Sequence, residues 1–215
     1  SLLACEEEIR ASGAVALECL ATPSDPLRAS LFGLALSPMP GRAFYLPLEG
    51  TERKPSATSP PLQNLQDVLP PLLTDRSIQK YGHDLKTISL LLRQQGLSLE
   101  GLVCDTLLGA WCINPTRRGY ALADVYREYA DSSLAMPQEL VSAGPRPPTP
   151  EAMTETERAA WACSRADAAR NLGSILSTHM EKEGLKEVFH DIEMPLIPVL
   201  AGMEHHGVLV DTALL

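Results

Sequence analysis

The sequence AVALECL at residues 14–20 is short and almost wholly apolar, and the turn-forming sequence PSDP follows it at residues 23–26. A run of this length, bounded by turn residues, is typical of a buried β-strand. Because apolar side chains occupy both faces of the strand, we expect a sheet that other elements cover on both sides. This stretch therefore predicts the centre of a layered α/β domain.

The flanking sequence alternates between strand and helix patterns, which favours an α/β layered fold. Two of the predicted strands form a hairpin across Gly41, and the predicted helix at 62–73 is kinked or split at Pro70 and Pro71. Residues 49–61 and the Pro-rich residues 137–150 are predicted loops. Further strands are predicted at 30–36, 42–47, 77–81 and 99–104. Further helices are predicted at 84–95, 105–113, 119–129, 151–183 and 185–206, with N-caps at Asp84 and Asp105 and a capping box formed by Thr154 and Glu157.

Composition excludes several classes of protein. The chain has 215 residues, 45% of them hydrophobic, and a formal net charge of −9, which argues against a disordered chain and against a free-standing nucleic-acid binder. No apolar run is long enough for a membrane span, and the five scattered cysteines form no C-x-x-C pair. We expect a bacterial cytoplasmic protein without a membrane partner. The first residue is not Met and Asp211 is a good helix N-cap, so we expect a segment of a longer protein.

Four stretches carry a resemblance to a known family. The most specific is FHDIEMPLIPVLAGME at residues 189–204, followed by GVLVD at 207–211. KYGHDLK at 80–86, GLVCDTLL at 101–108 and ALADVY at 121–126 agree in order and spacing. Together they resemble the 3′–5′ exonuclease domain of bacterial family A DNA polymerases, the DNA polymerase I type, and its connection to the polymerase domain.

The resemblance covers nearly the whole chain and implies a ribonuclease-H-like (DnaQ-like exonuclease) fold, with a mixed five-stranded sheet flanked by helices. It implies an exonuclease-like domain at residues 1–184 and a helical connection at 185–215 that leads into a polymerase domain. The expected partners are that polymerase domain in the same chain and, through the parent enzyme, DNA. We expect a monomer. No cofactor is visible in these residues, and Mg²⁺ is expected for the parent polymerase.

Active members of the family remove 3′ nucleotides with two divalent ions held by four acids. The resemblance places those acids in a first-strand Asp-x-Glu, in the second motif, and in a Tyr-x-x-x-Asp third motif. The matching positions in this sequence are Glu18, Leu20, Ile88, Trp161 and Arg165. One acid therefore remains, two positions are aliphatic, the tyrosine is replaced by tryptophan, and the last acid is replaced by a cation.

This replacement pattern predicts that Arg165 pairs with Glu18 without any metal. The resulting hypothesis is a vestigial exonuclease domain with no intact catalytic, cofactor or metal site, which serves as a structural platform for the polymerase. Two alternatives stay open. One is a weak two-metal exonuclease in which Asp84 or Asp167 assists Glu18, and the other is an interaction module that has lost DNA chemistry altogether.

The remaining candidate residues have structural interpretations. His205 and His206 are adjacent, so they point to different faces of a helix and do not form a ligand pair. His83 stands before a helix without an evident partner in the sequence. Trp111 is expected to be a packing residue.

Overall fold

Five strands and eight α-helices are found in residues 2–22, 25–48, 62–134 and 149–209, the part of the chain that the computed structural model describes. A 3-10 turn (Pro150–Ala152) precedes α6, and a π-helical turn (Phe189–Glu193) separates α7 from α8. The elements in chain order are α1 (Leu2–Ser12), β1 (Ala14–Ala21), β2 (Leu31–Met39), β3 (Arg42–Pro47), α2 (Leu62–Thr74), β4 (Gln79–Gly82), α3 (Leu85–Gln94), β5 (Leu102–Asp105), α4 (Thr106–Ile113), α5 (Leu122–Tyr129), α6 (Glu155–Lys182), α7 (Lys186–Val188) and α8 (Met194–His206).

The strands form one mixed sheet in the order β3-β2-β1-β4-β5. β2 pairs antiparallel with both β1 and β3, whereas β4 pairs parallel with both β1 and β5. β1 is therefore the central strand, and most of its residues are buried, as its apolar sequence predicts. The prediction of a mixed five-stranded sheet flanked by helices is confirmed.

The helix starts follow from local side-chain chemistry. The side chains of Asp84 and Asp105 accept hydrogen bonds from the first backbone N–H groups of α3 and α4. Thr154 and Glu157 form a reciprocal capping box at the start of α6. All three N-caps were predicted from the sequence, and each is confirmed.

Some predictions need correction. α1 was not predicted, although its Cys5 and Ile9 are buried one turn apart. The sequence predicted a kink or a split of α2 at Pro70 and Pro71; the split is wrong, because α2 is one helix through both prolines. Its last turn buries Leu72 and Leu73, which offsets the missing backbone hydrogen bonds.

The sequence also predicted one helix over 185–206, but a π-helical turn interrupts it before α8. The predicted loops at 49–61 and at 137–148, and the predicted N-cap Asp211, lie outside the described residues.

α6 packs across β1 and β2, while α8 packs against α3. Small residues allow α6 to approach the sheet closely: a Cβ at Gly173 would lie 2.6 Å from Cδ1 of Tyr81. Within the described residues, we find no helix that is both long and apolar enough to cross a membrane.

Candidate functional site

An ion pair joins the central strand to the longest helix. Nε of Arg165 on α6 donates a 2.5 Å hydrogen bond to Oε1 of Glu18 on β1. The Glu18 side chain is 8% exposed and the Arg165 side chain 21% exposed. Burial raises the pKa of Glu18 above its ordinary value, and the positive charge of Arg165 acts in the opposite direction. The pairing hypothesised from the sequence is therefore present.

Trp161 completes the contact around the guanidinium. It precedes Arg165 by one helical turn, and Cζ of Arg165 lies 4.6 Å from the centroid of its ring. This distance is typical of a cation–π interaction. The guanidinium is thus held between a carboxylate and an aromatic face.

Leu20 and Ile88 are buried in apolar surroundings. Leu20 is 1% exposed and belongs to a small apolar cluster with Ala162 and Ala166 of α6, against which Trp161 packs. Ile88 is 4% exposed and belongs to the main core. Neither position offers an oxygen ligand, and a carboxylate at either would be buried among hydrocarbon side chains.

The two acids considered as substitutes have other partners. Asp84 lies close enough to Glu18 for its charge to raise the pKa of Glu18. Its carboxylate nevertheless accepts hydrogen bonds from the backbone N–H of Thr87 at 3.2 Å and from the Thr87 hydroxyl at 2.7 Å. Asp167 accepts a 2.6 Å hydrogen bond from the backbone N–H of Gly41 in the β2–β3 turn. Both acids are therefore engaged in local structure.

The donor set does not fit a pair of divalent metal ions. Two such ions in one site require several carboxylate oxygens. In the described ranges we find no cluster of three or more His, Cys, Asp or Glu side chains that could hold a metal. Glu18 is instead neutralised by Arg165. The site residues thus combine one carboxylate, one cation and apolar packing.

A second buried carboxylate, Asp105, organises the chain beside this site. It accepts hydrogen bonds from the backbone N–H groups of Leu85 at 2.7 Å, Leu107 at 2.9 Å, Asp84 at 3.1 Å and Leu108 at 3.4 Å. One side chain therefore caps both α3 and α4. Burial raises the pKa of Asp105 to about 6, although the backbone hydrogen bonds favour the charged form.

The environment of His83 was missed by the sequence analysis. Its Nδ1 lies 2.9 Å from Oγ1 of Thr106. Burial, with a smaller contribution from the charge of Arg165, lowers the pKa of His83 from 6.5 to about 4. The Thr106 partner lies 23 residues away along the chain, so local sequence carries no signal for it.

Three other residues were also given structural interpretations from the sequence. The rings of His205 and His206 lie perpendicular at the exposed end of α8, and Nδ1 of His206 donates to the carbonyl oxygen of Gly202. Trp111, predicted to be a packing residue, is 41% exposed, so that prediction is wrong. A tryptophan in the sequence can be either buried or exposed in the fold, because much of a folded surface is apolar.

The outward face of α8 carries a row of large apolar side chains. We call Leu196, Val199, Leu200 and Met203 the outer stripe; they are 40 to 64% exposed. Their spacing of three and four residues places them on one face of the helix. The opposite face of α8 is buried through Met194, Ile197 and Ala201. This helix therefore has two apolar faces, of which one is covered.

The sheet order and its flanking helices define the ribonuclease-H-like exonuclease fold. A family model described as DNA polymerase I, ribonuclease H-like domain matches residues 50–172. The chain belongs to this family, and the fold and family that the sequence predicted are confirmed. The matched stretch contains Ile88, Trp161 and Arg165 but not β1.

Curated relatives agree with this assignment. The chain is 28% identical to DNA polymerase I of Pseudomonas aeruginosa over 94% of its own length and 22% of the relative. It is 31% identical to DNA polymerase I of Bacillus subtilis over 62% of its own length and 15% of the relative. The chain thus spans about a fifth or less of the length of these proteins.

Solved structures share the fold. The structure described as the POL domain of Pol1 from M. smegmatis, in complex with DNA primer-template and dNTP, has a TM-score of 0.74 at 20% identity and covers 96% of this chain and 31% of that one. Brucella melitensis NrnC has a TM-score of 0.68 at 20% identity, covering 91% and 86% of the two chains. Escherichia coli RNase D has a TM-score of 0.66 at 17% identity, covering 97% and 49%.

Proposed function

We propose that this chain is a vestigial 3′–5′ exonuclease domain of a bacterial DNA polymerase I, without proofreading activity, and that it serves as a structural platform for the polymerase. The observation that carries the proposal is the ion pair between the buried Glu18 and the partly buried Arg165. The guanidinium supplies the positive charge that a divalent ion supplies in an active two-metal site.

The energetics favour retention of the pair over its replacement by metal. A metal ion would have to displace Arg165 from Glu18, and the freed guanidinium would then lie beside the metal. Two like charges at short range in a partly buried site repel strongly. Leu20 and Ile88 offer no further oxygen ligand. The site therefore neither attracts nor orients the two ions that phosphodiester hydrolysis requires.

The outer stripe supports the platform role. A row of large exposed apolar side chains on a single helix is characteristic of a surface that another protein element covers. We propose residues 1–184 as the exonuclease-like domain and residues 185–215 as the connection into the polymerase domain. The stripe lies within that connection, so a following domain of the same chain would be held close to it.

The parent enzyme would extend DNA primers from deoxynucleoside triphosphates in the cytoplasm, with Mg²⁺ in its polymerase site and DNA bound there. This proposal rests on the DNA polymerase I relatives, which are longer than this chain. We propose a monomer. An interaction module without any polymerase is the competing function, and polymerase motifs encoded downstream of Leu215 would exclude it.

The inactivity is tested with a labelled single-stranded DNA and Mg²⁺ or Mn²⁺. We expect the chain, its Glu18→Ala variant and the surface control Glu187→Ala to show the same background degradation. Metal-dependent 3′–5′ cleavage that persists in Glu187→Ala and disappears in Glu18→Ala would contradict the proposal. It would favour the weak exonuclease in which Asp84 or Asp167 assists Glu18.

The platform role is tested in the complete polypeptide with Leu196→Glu. We expect a lower melting temperature for the complete protein and an unchanged one for residues 1–215 alone, because the substitution places a charge where the polymerase domain docks. An unchanged melting temperature in both would contradict the role of the stripe.

A further inference from the structure

A cavity of about 510 Å³ lies away from the Glu18–Arg165 pair. It is bounded by the second half of α3, by the loop that leads from α3 to β5, and by the first turns of α8. Its volume is within the range of small-molecule sites, about 300–1,000 Å³. None of the residues assigned above to the exonuclease positions lines it. We call it the α3–α8 cavity.

Arg93 lines the α3–α8 cavity and has no counter-ion. Its side chain is partly buried in the last turn of α3. No ion pair or hydrogen bond of its side chain is found within the described ranges. Nη1 lies 3.8 Å from the place where a Cβ on Gly202 would be, so the guanidinium reaches across to α8. A partly buried cation without a partner favours an anion in the cavity.

The other charged residues that line the cavity do not neutralise the positive charge of Arg93. Glu100 is the one carboxylate that lines the cavity in the described part of the chain, and it is paired with Arg76. His190 adds an imidazole. The cavity thus carries a local positive charge on a chain whose net charge is −9. An anionic ligand fits this charge, and a cationic one does not.

Two hydroxyl groups line the α3–α8 cavity together with Arg93. Ser89 precedes it by one helical turn and lines the same cavity, as does Ser98 on the following loop. A guanidinium offers five N–H donors, and each hydroxyl offers one more. A carboxylate has two oxygens to accept them, whereas a phosphate monoester has three. The number of donors therefore favours a phosphate group.

The remaining wall of the cavity is apolar. Leu99 and Leu102 line it from the β5 side, and Met194, Pro195 and Pro198 line it from α8. An inorganic ion would leave this wall in contact with water. From the cation, the hydroxyls and the apolar wall together, we propose that the α3–α8 cavity binds a small phosphate monoester with an apolar or aromatic body. This site is independent of the proposed platform function.

Phenyl phosphate is the test probe, titrated by calorimetry and by NMR into the 215-residue chain at low ionic strength. We expect saturable binding, with shifts that concentrate on α3, on the loop to β5 and on the start of α8. Arg93→Met should weaken binding about tenfold or more, because it removes a charge-assisted contact and keeps an apolar stem. Arg28→Met, which removes an exposed arginine elsewhere, should leave the affinity within about twofold.

Ser98→Ala provides a second variant on the exposed loop, where folding is not at risk, and should weaken binding by a few fold. Three results would overturn the proposal. The first is an absence of saturable binding, and the second is an equal affinity in wild type and Arg93→Met. The third is binding of inorganic phosphate or of benzoate as tight as that of phenyl phosphate, which would remove the role of the apolar wall or of the phosphate group.

Discussion

The contact region between β1 and α6 and the outer stripe of α8 differ in whether their side chains have partners within the chain. Between β1 and α6, Glu18 contacts Arg165, and Leu20 is buried in a small apolar cluster. On α8 the outer stripe is 40 to 64% exposed within the chain. The first region is closed by internal contacts, and the second lacks a covering element among the described residues.

This difference distinguishes residues that stabilise the domain itself from residues that contact a partner. A domain that has lost metal ligands, as we propose for this one, is left with buried space and uncompensated charge, and residues inside the same domain can stabilise both. An exposed apolar helix face does not stabilise the domain on its own, and we propose that a partner covers it. Substitutions between β1 and α6 should therefore change the free energy of unfolding. Substitutions in the outer stripe should instead change the association with the polymerase domain that we propose as its partner.

The largest effect is expected from Arg165→Met. It leaves Glu18 buried without its partner, so we expect a loss of about 3–5 kcal/mol in the free energy of unfolding at neutral pH. Denaturant unfolding measures it. The double variant Glu18→Leu/Arg165→Met should recover most of the loss, because no charge is then buried. A loss that persists in the double variant would show that the pair is not the cause.

The matched control is the exposed pair of Arg127 and Asp124, three residues apart on α5. Arg127→Met should cost less than about 1 kcal/mol, because solvent screens that pair.

Asp105→Asn is expected to cost about 2–3 kcal/mol. The amide has one acceptor oxygen, and its NH₂ group would face backbone N–H groups that now point at a carboxylate. Asp84→Asn is the control, because Asp84 caps one helix and its φ of 62° is a value that Asn also adopts. Its cost should stay near 1 kcal/mol or below. Equal costs for the two variants would contradict the double-cap assignment of Asp105.

Lowering the pH should reveal the contribution of His83 to the free energy of unfolding. Its pKa is lowered from 6.5 to about 4 in the folded chain, so the unfolded chain takes up a proton first as the pH falls between these values. Stability attributable to His83 is therefore present at pH 7 and is lost as the pH falls towards 4.

We expect wild type to lose about 2 kcal/mol more than His83→Gln between pH 7 and pH 4.5. Unfolding curves at both pH values measure the difference. The raised pKa values of Glu18 and Asp105 act in the opposite direction, but both proteins share them. Parallel pH profiles of the two proteins would contradict a buried, neutral His83.

The smallest change in stability is expected at the outer stripe. Leu196→Gln, Val199→Gln and Met203→Gln should each change the free energy of unfolding by less than about 0.5 kcal/mol and reduce the binding of an apolar dye. Ile197→Ala on the buried face of the same helix should cost about 2–4 kcal/mol. A large loss of stability in the stripe variants would show that this face is already packed within the chain.

The parts of the structure that local chemistry determines were predictable from the sequence. The strand β1, the N-caps Asp84 and Asp105 and the capping box of Thr154 all depend on neighbours within a few residues. α1 was missed because three consecutive acidic residues conceal its short apolar pattern. The π-helical turn before α8 was also missed, because its sequence differs little from that of a helix.

The site was predictable in part, through the family resemblance. It placed Arg165 opposite Glu18, 147 residues away in the chain. The contact of His83 with Thr106 and the α3–α8 cavity were not predictable, because elements distant in sequence form them. Arg93 alone reads as an ordinary basic residue in the last turn of a helix.

The central claim is that Arg165 takes the place of metal ions beside Glu18. Mn²⁺-induced relaxation of the backbone amides, followed by NMR on the 215-residue chain, tests this claim most directly. If Arg165 occupies the place of the metal ions, the amides of β1 around Glu18 should broaden no more than those of exposed acidic surface segments. Saturable broadening that is centred on Glu18 and Asp84, and that Glu18→Gln abolishes, would contradict the account and indicate a working metal site.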